Sequence, residues 1–189
     1  LKDGQVQDVM ACKPNPAAWT CQPGENGSSG CLSPAQAQAL NTMMAGPRNS
    51  RGDKLYVDWP WDPGLAAADW RNWTLGTAQS GAPNARHITL MAGALGHEFV
   101  TPPDPSLSTL NSDFDRDPAR MQAFHKVDDT ADDVQLEGWR ARRGKLLFFH
   151  GTADPIFSAA EVVDYQQRVN RAHGEARAAE FARTFLIPG

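Results

Sequence analysis

The segment Lys145-Leu146-Leu147-Phe148-Phe149 is an unbroken apolar run, closed behind by Gly144 and ahead by the polar stretch His150-Gly151-Thr152-Ala153-Asp154-Pro155. Apolar residues at successive rather than alternate positions are what a strand buried on both faces requires. Ser158 and Glu161 then stand at capping-box spacing, with Phe157 and Val162 placed as a hydrophobic staple, so a helix is predicted from 159 to about 172. Phe185-Leu186-Ile187 reads as the next strand. Strand, helix, strand is a βαβ unit with parallel pairing, and the expected class is α/β. In such sheets the working residues lie at the carboxyl ends of the strands.

Upstream the pattern is irregular. Cys12, Cys21 and Cys31 fall in a stretch dense in Pro, Gly, Asn and Ser, which is how a disulfide-stapled loop reads. Their spacing suits no Cys-x-x-Cys zinc pair. Ser33-Pro34 opens a short helix that Gly46-Pro47 stops. A brief strand is predicted at Lys54-Leu55-Tyr56-Val57, and four Trp crowd between Trp59 and Trp73 and demand an apolar wall. Residues 84–100 are expected to be helical despite two glycines, Thr101-Pro102-Pro103 breaks that helix, and Asp117-Pro118 restarts one to about Phe124. The acidic run 128–133 reads as a solvated turn or a helix start, with a boundary beside it, and 136–142 as a short amphipathic helix. Two substructures are therefore expected: an irregular, Trp-rich one over 1–135 and an α/β one over 136–189.

A net charge of −4 without a basic block argues against nucleic acid as a partner. No apolar stretch approaches the roughly 18 residues that cross a bilayer, so no membrane partner is expected. The chain opens without Met and stops just after an apolar run, and both ends read as cut.

Asp154 holds the position from which a carboxylate orients a histidine on the loop after the next strand, the Ser, Asp, His order of α/β-hydrolases. Equally, Asp154 could simply cap the turn before the helix, since Asp favours such sites on local grounds. No Gly-x-Ser-x-Gly elbow is present, and no His follows the second strand. Asp3-Gly4-Gln5-Val6-Gln7-Asp8 offers hard oxygen ligands, but too few to fill a calcium sphere. Asp113, Asp115 and Asp117 resemble the start of an EF-hand, yet Pro118 replaces its glycine and Phe124 its last ligand, so a structural role is expected. Arg71 and Arg86 lie among aromatics, where a guanidinium either clamps a carboxylate or is simply solvated.

Several segments, in order, resemble the tannase/feruloyl esterase family: Asp3-Gly4 followed by Cys12; Cys21 with Cys31-Leu32-Ser33-Pro34-Ala35-Gln36; Ala45-Gly46-Pro47; Trp70 to Gly76; Thr101-Pro102-Pro103; Asp113 to Pro118; Gly144 to Leu147; His150-Gly151 with Asp154-Pro155; and Phe181-Ala182-Arg183 with Pro188-Gly189. Trp59-Pro60-Trp61-Asp62 and Trp70 to Gly76 are most similar to its mono(hydroxyethyl) terephthalate hydrolases. The resemblance implies an α/β-hydrolase sheet, partial here, carrying a lid over 1–135. It implies a secreted or periplasmic serine esterase acting on esters of aromatic acids such as gallate, ferulate or terephthalate. Asp154 matches the triad acid; the nucleophilic Ser and the His belong to segments upstream and downstream of this chain, which become its necessary partners. Asp3 by side chain and Gln5 by carbonyl match two ligands of a structural calcium, and no organic cofactor is implied. Cys21 and Cys31 match a lid disulfide, and Cys12 matches a cysteine paired outside this chain. Trp73, Phe99 and Phe157, whose rings suit a planar acid, and Arg86, suited to its anionic group, are the expected substrate contacts. The alternative is a non-catalytic lid module that binds aromatic acids without turnover.

Overall fold

The computed structural model describes residues 3–128 and 132–188. Its first helix, α1 (Pro34–Met44), starts on a full capping box: the Ser33 hydroxyl accepts the Gln36 N–H and the Gln36 side chain accepts the Ser33 N–H. It stops at Gly46, whose φ is 73° and where a Cβ would sit 2.5 Å from the Val57 carbonyl oxygen, so only glycine lets the chain turn beneath Val57. The strand expected at 54–57 does not form beyond a single antiparallel bridge between Arg48 and Lys54. Its backbone is engaged elsewhere, Leu55 N–H donating to Pro47 and Trp59 N–H to Met44.

Cys21 and Cys31 are disulfide-bonded beside a bridge between Thr20 and Leu32, and Cys12 is half-buried and free among the described residues. Trp19 and Trp61 meet edge to face at 5.8 Å. Helix α2 (Ala68–Thr74) buries Trp70. Helix α3 (Arg86–Ala94) continues as a π-helical turn over Leu95–Phe99, so the helix expected over 84–100 is present with a change of pitch. Leu95, Val100 and Leu107 form a small core joined by Phe99 and Met121. The helix expected from Asp117 to Phe124 is instead two, α4 (Asp117–Arg120) and α5 (Gln122–Asp128), separated at Met121. Asp117 is 1% exposed and takes hydrogen bonds from the Asp113 N–H, Arg116 and Arg120, the structural role expected of this acidic triplet. Of the acidic run, residues 129–131 lie outside those described.

Helix α6 (Glu137–Ala141) leads into β1 (Leu146–Gly151), followed by α7 (Ala159–His173), the single turn α8 (Glu175–Ala178) and β2 (Ala182–Ile187). The strands pair in parallel, Leu146 opposite Ala182 through Gly151 opposite Ile187. One sheet face packs on α7: Phe148 meets Tyr165 edge to face, and Val169, Ala178, Phe181 and Ala182 form the core beneath. The other face departs from the expectation of burial on both sides. Leu147, Phe149, Phe185 and Ile187 are more than half exposed, Phe149 to 70%, because no described element covers them.

Candidate active site

The loop 152–158 leaves β1 at the carboxyl edge of the sheet. Thr152 N–H donates to the Ile187 carbonyl at 2.9 Å, so the exits of both parallel strands lie side by side. Asp154 sits in the middle of this loop and closes a local turn: its Oδ1 accepts the Ile156 N–H at 2.7 Å and the Phe157 N–H at 3.1 Å. The capping reading of Asp154 is therefore met in full. The same geometry leaves Oδ2 for another donor, since the nearest imidazole nitrogen, His150 Nε2, is 3.7 Å away and is spent on the Phe157 carbonyl at 3.0 Å. A carboxylate held on one oxygen by backbone N–H groups has its other oxygen placed to accept a further donor.

Residues far away in the chain hold this loop at its start, middle and end. Thr152 donates its hydroxyl to Asp62, a buried carboxylate that also accepts the Gly64 N–H. His87 Nε2 lies 2.8 Å from the Pro155 carbonyl. The Tyr56 hydroxyl accepts the Ser158 N–H at 3.2 Å and donates to Glu161 at 2.7 Å, while the Ser158 hydroxyl donates to the Asp58 carbonyl. Burial, and then the adjacent Glu161 carboxylate, push the Tyr56 phenol well above its ordinary range and keep it neutral. The capping box expected of Ser158 and Glu161 is thus only half made. Ser158 caps the Ala160 N–H, but Glu161 turns to Tyr56, a charge-assisted partner supplied by tertiary contact.

Among the expected substrate contacts, Trp73 and Arg86 come together. The Arg86 guanidinium lies 5.7 Å over the Trp73 ring and 4.0 Å from Asp69, and His87 packs edge-on to Trp73 at 5.5 Å. Phe157 is 59% exposed on the Asp154 loop itself. Phe99 stands apart, tilted against Phe124 at 4.7 Å over the Leu95 core. An apolar cavity of about 600 Å³ is walled by Met44, Trp59, Trp70, His87, Met91 and Pro155 among others, and includes none of the four. Asp3 and Gln5 are far from the loop in sequence and form a turn of their own, Asp3 Oδ1 accepting the Gln5 N–H and Oδ2 the Gln7 amide, which holds the Asp3 carboxyl below its usual range. Two oxygen ligands do not make a calcium site, and among the described residues no cluster of three or more His, Cys, Asp or Glu could hold a metal. Sequence reasoning missed Tyr56, Asp62 and His87. No local signal marks them, because each meets its partner more than sixty residues away.

The family model for tannase and feruloyl esterase matches residues 1–189. The chain belongs to the tannase and feruloyl esterase family. It is 35% identical to a mono(2-hydroxyethyl) terephthalate hydrolase from Piscinibacter sakaiensis, an alignment that takes in 100% of this chain and 36% of that protein. A probable feruloyl esterase B from Aspergillus niger is 27% identical over 99% of this chain and 33% of its own length. The crystal structure of feruloyl esterase B from Aspergillus oryzae shares the fold with a TM-score of 0.79 at 23% identity, over 98% of this chain and 35% of that one. This tannase and feruloyl esterase family chain thus spans about a third of the length of the relatives it matches.

Proposed function

We propose that this chain is the lid, 1–135, and the C-terminal catalytic part, 136–189, of a secreted or periplasmic serine esterase of α/β-hydrolase type that hydrolyses esters of aromatic carboxylic acids. The observation that carries the reading is the Asp154 carboxylate, clamped on Oδ1 by two N–H groups beside the exit of β2. A histidine delivered by the chain after β2 would arrive at Oδ2. In that arrangement a serine attacks the ester carbonyl, the histidine takes its proton and later returns it to the leaving alcohol, and Asp154 fixes the histidine tautomer and stabilises its charge. The serine and histidine come from segments outside this chain, and the bare sheet face bearing Phe149 and Phe185 supports further catalytic-domain elements packing there.

Phe157 on the loop and the Trp73–Arg86 pair supply ring contacts and a cation for the acid moiety, while Phe99, expected as a further contact, packs apart from them against Phe124. Asp3 and Gln5 would contribute two oxygens to a structural calcium whose remaining ligands lie outside this chain. The Cys21–Cys31 disulfide supports an oxidising compartment. The test is hydrolysis of galloyl, feruloyl and terephthalate monoesters by the full-length protein and its Asp154→Asn variant. At least one ester should be turned over, with kcat reduced about 10⁴-fold in the variant. Full activity in Asp154→Asn removes the triad assignment. Tight binding of aromatic acids with no turnover by the wild type would instead identify a non-catalytic binding module.

A further inference from the structure

The peptide group joining Pro155 to Ile156 is held from both sides. Its N–H donates to Asp154 Oδ1 at 2.7 Å, and its carbonyl faces His87 Nε2 at 2.8 Å. A carbonyl only accepts, so His87 carries its proton on Nε2 and donates. Because the peptide is planar, fixing its carbonyl direction fixes its N–H direction, and with it the carboxylate oxygen that the N–H grips. Hydrogen bonds joined through one amide also polarise one another. Without the imidazole, Pro155 and Ile156 keep, among the described residues, no other hydrogen-bond partner from the segment before 136, while Thr152 and Ser158 remain tied to Asp62, Tyr56 and Asp58.

The same imidazole also meets Trp73, the ring that carries Arg86, in a T-shaped contact with centroids 5.5 Å apart. Resting on the esterase reading above, we infer that His87 is a positioning residue: it sets the 155–156 peptide that aims Asp154, and it ties that peptide to Trp73 in the aromatic wall. Histidine suits the role because one flat ring offers an N–H donor for the carbonyl and an aromatic surface for the indole.

The test uses the full-length protein and any aromatic ester it hydrolyses. His87→Phe keeps a ring against Trp73 and deletes the donor, whereas His87→Gln keeps an N–H donor at similar reach. The Phe variant should lose about tenfold or more in kcat with KM changed less than about twofold. Its acid limb in kcat/KM should move to lower pH, because an imidazole held less closely by a carboxylate gives up its proton more readily. The titratable groups around Asp154 within this chain, His150 at 3.7 Å and Tyr56, are untouched by either change. His87→Gln should regain most of kcat and the wild-type acid limb. Unchanged kcat in the Phe variant, a rise in KM alone, or a Gln variant as impaired as Phe overturns the inference. Should His87→Phe not fold, His87→Met, similar in volume and without a donor, is read in its place by the same criteria. A wild type that hydrolyses no aromatic ester overturns the esterase reading and this inference with it, whereas an active wild type indifferent to His87 overturns this inference alone.

Discussion

Thr152 donates its hydroxyl to the carboxylate of Asp62, ninety residues earlier, and both side chains are almost completely buried. This bond pins the exit of β1 to the segment between Trp61 and α2. Asp62 is 3% exposed and also accepts the Gly64 N–H that starts the 3-10 turn Pro63–Ala66, so one carboxylate serves two elements.

Removing Asp62 takes the acceptor from the half-buried Gly64 N–H and leaves the buried Thr152 hydroxyl only its longer contact to the Ile187 carbonyl at 3.3 Å. Asp62→Ala should destabilise the protein by about 2–3 kcal/mol and Thr152→Val by about 1 kcal/mol, read by urea unfolding. The pair should be non-additive by about 1 kcal/mol in a double-mutant cycle, and full additivity would mean the two side chains do not act together.

Asp117 predicts acid sensitivity. The Arg116 guanidinium, joined by the Asp113 N–H and Arg120 and opposed by burial, holds its carboxyl far below the usual carboxylate range. A folded-state pKa below the unfolded one gives stability that is complete above about pH 4 and lost as pH falls below it. Asp117→Asn should cost about 2–3 kcal/mol near neutral pH, because it removes the buried charge that accepts from Arg116, the Asp113 N–H and Arg120, and leaves Arg120 with Asp104 alone. That difference from wild type should shrink steadily below about pH 4, a trend that unfolding curves at stepped pH will show or refute.

The Cys21–Cys31 bond closes a loop of sequence separation 10. Restriction of the unfolded chain by a loop of that size is worth about 2–3 kcal/mol, so Cys21→Ser with Cys31→Ser should lower stability by that amount without altering Asp154 chemistry. Equal stability with and without reductant would show that the loop 22–30 is held by its own turn bonds.

Arg86 should matter according to substrate charge. If it faces the acid moiety from its seat over Trp73, Arg86→Gln should raise KM about tenfold for esters whose acid part carries a free carboxylate and leave neutral ones within about twofold. A uniform change across substrates would assign Arg86 to packing on Trp73 and Asp69.

Much of the fold was legible because it depends on neighbours in sequence. Ser33 and Pro34 declare the start of α1, Gly46 its end, and the apolar runs at 146–149 and 185–187 declare the strands whatever surrounds them. Boundaries failed where tertiary bonding outbid a local motif. Glu161 stands at the right spacing for a capping box but turns to Tyr56, and 54–57 has strand composition but spends its backbone on the end of α1. Asp154 could be singled out from chain order and resemblance, although its place in the turn before α7 suits a capping carboxylate equally well.

The sequence by itself determined the α/β unit, the stapled loop, the family and the acid at the strand exit, since each is written in residues that are close together or in a fixed order. Only the tertiary structure decided what holds that acid in place: Asp62, Tyr56 and His87, brought to Thr152, Ser158 and Pro155 from 68 to 102 residues away. A hydrogen bond between distant residues leaves no periodicity or spacing behind. It exists only once the chain has closed on itself.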